Sequence, residues 1–171
     1  MGRLIVCMGV CGCGKTTLAH ALAARAGWPV LEGDEFHSPA NIARMADGIP
    51  LTDPDREAWI RAIRKEADRR AEPDILLACS ALSPTVQAWL GEGNPRKLIW
   101  LWLDIDPAEA ARRVAARPSH FMPAGLVKSQ FDSLQPPREA IQLPADQPVQ
   151  ELVARALARL QGGAPNHTAA R

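Results

Sequence analysis

The nine residues GVCGCGKTT, starting at Gly9, combine three glycines, a lysine and two threonines in the pattern G-x-x-x-x-G-K-[ST]. The pattern has a physical logic. Gly9, Gly12 and Gly14 let the chain turn tightly and aim backbone N–H groups at one centre, where phosphate oxygens can accept them. Lys15 adds a long cation that can reach the outer phosphates, and the Thr16 hydroxyl is suited to a magnesium ion. A helix starting at this point adds the positive end of its dipole. The whole run, with Val10, Cys11, Cys13 and Thr17 at its freer positions, is expected to hold a nucleotide.

Cys11 and Cys13 raise a competing chemistry, a C-x-C metal or redox site. Two thiolates need further soft or imidazole ligands. The nearest are Cys7, inside an apolar run, and His20, further along the next helix, and neither has a familiar ligand spacing. The two thiols are therefore read as small fillers. A helix N-terminus and the ammonium of Lys15 should favour the thiolate form and make them reactive where solvent reaches them.

A second cluster follows. Asp34, His37, Asn41, Arg44 and Arg56 lie within LEGDEFHSPANIARMADGIPLTDPDREAWI. They can accept from and donate to hydroxyls and can bind a carboxylate. Asp34 has the strongest position, because it directly follows a short strand. That is where open α/β sheets bind their ligands.

The elements that must position these groups alternate along the chain. RLIVCM reads as a buried parallel strand, and TTLAHALAARAG as a helix closed by Gly27. WPVLEGD supplies a second strand ending near Asp34. The insert, residues 37–73, reads as a short helix stopped by Gly48 and a longer one with Asp53 as candidate N-cap. Trp59, Ile60, Ile63 and Ala67 mark the buried side of the longer helix. DILLACSAL and KLIWLWLDI read as strands, EAIQL as a weak fifth strand, and QPVQELVARALARL as a closing helix. Asp106-Pro107 opens a helix carrying Arg113 and Arg117. Residues 118–136 break the alternation and read as a mobile lid. This order predicts an α/β fold with a parallel sheet of about five strands and helices on both faces. Residues 1–161 read as a single domain, and residues 162–171, small and polar, as a disordered tail.

Composition excludes several classes. The chain has 171 residues, 47% hydrophobic and 23% charged, with a formal net charge of +1. Such a balance creates no field to attract nucleic acid or a membrane surface. No apolar run approaches the roughly 20 residues that span a bilayer. The four cysteines follow no disulfide framework, so a cytoplasmic setting is expected. A homodimer is an allowed assembly.

The segments GVCGCGKT, EGDEFHSPANIARMADGIPLTDPDREAWI, ACSAL, SHFMPAGLVKSQFDSLQPP and ADQPV together resemble the successive signatures of bacterial-type gluconokinases. The resemblance runs in order from about Leu4 to Val149. It implies the nucleoside-monophosphate-kinase-like variant of the P-loop NTPase fold, with a substrate insert and a lid. It implies transfer of the γ-phosphoryl group of ATP, with Mg²⁺ held through Thr16, to gluconate bound by Asp34, His37, Asn41, Arg44 and Arg56. Asp34, Lys15, Arg113 and Arg117 are its implied catalytic groups. Where the family usually places a basic residue and then a Tyr-Arg pair, this chain reads SPTVQAWL and has no tyrosine. Two other readings of the same architecture are a kinase of another small hydroxy acid, shikimate-like or a different sugar acid, and a nucleotide-binding regulator without catalysis.

Overall fold

The computed structural model describes residues 1–117 and 124–162. Five parallel strands form one sheet: β1 (Arg3–Met8), β2 (Val30–Glu32), β3 (Asp74–Ala78), β4 (Lys97–Asp104) and β5 (Ile141–Pro144). Their order is β2-β3-β1-β4-β5, which places β1 at the centre. Register runs Leu4 to Ile75 on one side and Leu4 to Leu98 on the other. Pro144, at the end of the edge strand, lies opposite Asp104. A missing backbone donor is tolerated at an edge.

The continuous apolar runs are explained by burial on both faces. Ile5 and Cys7 point into a core with α1 (Lys15–Ala26) and α7 (Val149–Gln161), through Leu18, Leu22, Leu152 and Val153. Leu4, Val6 and Met8 point the other way, against Ile60 and Ile63 of α3 (Asp53–Arg69) and Leu90 of α4 (Pro84–Gly91). Each such side chain contributes about 1.5–3 kcal/mol on burial, so the central strand ties both cores together.

The helices differ from the expected boundaries in instructive ways. α2 (Pro39–Ala46) starts under a Ser38 cap, and Gly48 takes φ 71° in the turn beyond it. The N-cap of α3 is Thr52, not Asp53. Thr52 and Asp55 form a reciprocal capping box, which leaves Asp53 inside the first turn. Asp106 caps α5 (Pro107–Ala115) as expected, accepting from Ala108 N at 2.8 Å. Part of the expected lid is regular: α6 spans Ala124–Ser133. Residues 118–123 of that lid, and 163–171 of the expected tail, lie outside the described residues. Among the described residues no helix is long and apolar enough to cross a membrane.

Candidate active site

The phosphate loop joins the central strand to α1. Gly9 has φ 142°, and a Cβ there would sit 2.8 Å from Cys13 Sγ and 2.9 Å from Leu103 O. Gly12 has φ 79°, and its Cβ would lie 3.0 Å from Ala110 O. Both glycines are therefore demanded by conformation and by space. Gly14 is the N-cap of α1 and offers no side-chain cap. The first N–H groups of this helix remain free for an anion. Lys15 Nζ folds back, donating to Gly9 O at 3.1 Å and Val10 O at 3.0 Å.

The two loop cysteines sit at different depths. Cys13 is 2% exposed, packed with Val10 in the core under the loop. Cys11 is half-buried, and burial pushes its thiol up from the ordinary value, although Lys15 and Arg117 pull it down. Desolvation thus outweighs the nearby cations, and the expected thiolate is corrected to a thiol. No group of three or more His, Cys, Asp or Glu side chains able to hold a metal occurs among the described residues.

Asp34 sits in a 3-10 turn, Gly33–Phe36, just beyond β2. It is exposed, and no described residue hydrogen-bonds its carboxylate. Two contacts fix the turn. A Cβ on Gly33 would come within 2.7 Å of Ala78 O, so the turn lies directly on β3. Trp59 Nε1 donates to Gly33 O at 2.7 Å. His37 stacks on the Trp59 ring at 4.3 Å, and its Nδ1 is buried without a partner. Burial lowers the His37 pKa from its ordinary value, opposed by the Asp34 charge.

A cavity of about 460 Å³ joins the two clusters. Cys11 and Lys15 border it from the loop, Asp34 from the turn after β2, His37 and Arg56 from the insert, and Leu126, Ser129 and Gln130 from α6. Ile42 and Ile49, at 53% and 45% exposed, form part of its apolar rim. Ser83, the first residue of SPTVQAWL, also borders it. The Ser83 hydroxyl accepts from Val86 N and caps α4.

Not every expected residue reaches this cavity. Asn41 is 6% exposed and reaches Asp55 O through Nδ2 at 3.5 Å, tying α2 to α3. Arg44 donates to Pro50 O at 3.4 Å and stands 3.9 Å from Asp55. Neither borders the cavity. Arg113 donates to Glu109 Oε1 at 2.7 Å and Ala145 O at 3.0 Å, so its guanidinium links α5 to the segment after β5. Arg117 is exposed, and its charge acts on Cys11. Two side chains were not anticipated from sequence. Glu32, the last residue of β2, accepts from Thr16 Oγ1 at 3.0 Å and meets His20 Nε2 at 3.1 Å. The E-x-D spacing of Glu32 and Asp34 at a strand end was the available signal. Gln130 accepts from the Cys11 N–H, a contact with no local sequence signal.

A parallel sheet with a glycine loop after its central strand, and a cavity running from that loop to an acidic turn, defines a P-loop phosphotransferase. The family model described as an AAA domain matches residues 4–140. The chain belongs to the gluconokinase family. It is 40% identical over 139 residues to a gluconokinase of Gluconobacter oxydans, covering 79% of this chain and 76% of that one. Among solved structures, a gluconokinase from Sinorhizobium meliloti superposes with TM-score 0.80 at 38% identity, covering 92% of this chain and 90% of that one. A sugar kinase from Janibacter sp. superposes with TM-score 0.84 at 42% identity, covering 94% of each chain.

Proposed function

We infer that the protein transfers the γ-phosphoryl group of ATP to D-gluconate, giving 6-phospho-D-gluconate. The observation that carries the reading is a single cavity bordered by Lys15 of the phosphate loop and by Asp34, His37 and Arg56. It brings a phosphate cradle and a hydroxyl-orienting carboxylate into one space. In-line transfer needs such positioning more than covalent help from the protein.

Each residue then has a task. The loop from Gly9 to Thr17 holds the phosphates. Lys15 balances the charge that builds on the transferred group. Asp34 orients the primary hydroxyl of gluconate and accepts its proton late in the transfer. Arg56 is the cation on the cavity wall able to meet the carboxylate of the sugar acid, and His37 presents an aromatic edge beside it. Asn41 and Arg44 hold the insert together. Arg117 is better placed than Arg113 to approach the phosphates, because Arg113 already serves Glu109 and Ala145. A magnesium ion fits the hard oxygen donors of Thr16 and Glu32, and would screen the phosphates. The four free cysteines suit a cytoplasmic setting.

The apolar wall formed by Ile42, Met45, Leu82 and Val86 favours a second reading, a less polar hydroxy acid as acceptor. The experiment is an ATP-consumption assay with a panel of aldonic acids and shikimate. Gluconate should give the highest kcat/KM. Turnover of shikimate without turnover of gluconate would favour the second reading. ATP binding with no acid-dependent turnover would mean a nucleotide-binding regulator.

A further inference from the structure

Helix α6 reaches the phosphate loop through one side chain. Cys11 donates its backbone N–H to Gln130 Oε1 at 2.7 Å. Among the described residues, no other side chain accepts from a backbone N–H of the loop. The partner is a donor, so the carbonyl half of the amide must face it. The Nε2 group is left free of any described partner.

This acceptor occupies a place built for phosphate. The N–H groups of such a loop aim at phosphate oxygens, and Gln130 Oε1 accepts one of them. Cys11 and Gln130 border the cavity together with Lys15 and Asp34. On the kinase reading the terminal phosphoryl group lies toward Asp34, which orients the acceptor hydroxyl, and Cys11 and Gln130 share that cavity with it. A carbonyl oxygen and an anionic phosphoryl oxygen cannot both hold the Cys11 N–H, and side by side they repel. Rotation about the last side-chain torsion, which is broad and roughly two-fold, replaces oxygen with an N–H donor. The helix need not move for this. Leu134, just past α6, packs against both cores, Gln135 N donates to Leu82 O at 2.8 Å, and Gln87 Nε2 donates to Gln135 O at 2.9 Å.

We propose that Gln130 contacts the transferred phosphoryl group: its carbonyl accepts the Cys11 N–H that a phosphate oxygen would also take, and with ATP bound its amide turns to donate Nε2–H to the terminal phosphoryl group. The proposal rests on the kinase reading above, but not on which acid is the acceptor. It makes Gln130 a reader of the third phosphate, so ATP and ADP should respond differently to its loss.

Two variants test it. Gln130→Glu keeps the size and the acceptor but removes the donor and adds charge. Calorimetric titration should show affinity for a β,γ-imido ATP analogue falling at least tenfold, roughly the loss of a charge-assisted contact, with ADP affinity changed less than threefold. Gln130→Ala should lower kcat about 10²-fold, the typical cost of one donor to a developing charge, with KM for gluconate little changed. The melting temperature of both variants should match wild type, since the side chain is only partly buried. An equal fall for the two nucleotides in Gln130→Glu would overturn the proposal, and so would a kcat within twofold of wild type in Gln130→Ala. The binding arm needs no sugar acid, so it decides this inference whichever acid is phosphorylated. Wild-type protein that phosphorylates gluconate beside unaffected variants would sink this inference alone.

Discussion

The carboxylate of Asp34 owes its position to Trp59, whose indole N–H holds the Gly33 carbonyl one residue before it. The same indole carries the His37 ring on its face. One aromatic side chain thus fixes both polar groups at the insert end of the cavity. Asp34→Asn should keep ATP binding and lower gluconate-dependent turnover about 10²–10⁴-fold, the usual worth of a positioned base. Near-normal kcat in that variant would remove the role. His37 carries a pH dependence. Burial depresses its folded pKa, so the unfolded chain takes up a proton at higher pH than the folded protein does. Stability from this group is complete above the unfolded value of about 6.5 and is lost as pH falls through it toward the folded value. Melting curves between about pH 7 and pH 5 should fall more steeply for wild type than for His37→Gln. Equal slopes would clear His37 of the effect.

At the scale of elements, the helix starts fall into two kinds. α2, α3, α4 and α5 each begin with a capping Ser, Thr or Asp side chain and a proline in the first turn. Their first N–H groups are partly satisfied from within. α1 begins at Gly14 without a side-chain cap, and its free N–H groups are the ones a phosphate would take. The insert helix α3 depends on its cap most directly, because Thr52 and Asp55 serve each other in both directions. Thr52→Ala should lower stability by about 0.5–2 kcal/mol, read as a lower urea midpoint with unchanged m-value. It should also loosen the Trp59 side of the cavity and raise KM for the sugar acid. A variant with wild-type midpoint would mean that α3 is held by packing alone.

Across the whole molecule, the two edges of the sheet are specialised. At the amino edge Arg3 grips Asp74 through Nε at 3.1 Å and Nη2 at 2.6 Å, and lies over Trp28 at 5.2 Å. The Arg3 guanidinium holds the Asp74 carboxyl below the ordinary carboxylate range. That edge contributes stability. The carboxyl edge carries the loop after β1 and the acidic turn after β2, where ligand binding contributes instead. Nucleotide should therefore stabilise the entire fold. At a hundredfold excess over Kd, ATP with magnesium adds about 2.7 kcal/mol, or roughly 5–10 °C in melting temperature for a chain of this size. Lys15→Ala should fold with its own melting temperature near wild type but lose most of this shift. An undiminished shift in Lys15→Ala would take Lys15 out of the phosphate site.

Local residue chemistry is enough to specify the strand-loop-helix with its phosphate-loop pattern, the parallel sheet and the acidic turn after β2. All three are written in local terms: glycine spacing, apolar runs of strand length, and cap residues beside prolines. The capping error at Thr52 is of the same local kind, a shift of one residue between two good caps. Which polar side chains face the cavity depends on how the elements pack. Asn41 and Arg44 look like substrate ligands in the sequence, yet the packing of α2 against α3 turns them to Asp55 and Pro50. Cys11 looks like a thiolate beside a lysine, yet its depth in the loop makes desolvation the larger effect, and Cys13 is packed in the core. Gln130 stands 119 residues from Cys11 along the chain. No period or motif links two such positions, because their meeting depends on where α6 docks, and that is set by Leu134 and the Leu82–Gln135 hydrogen bond.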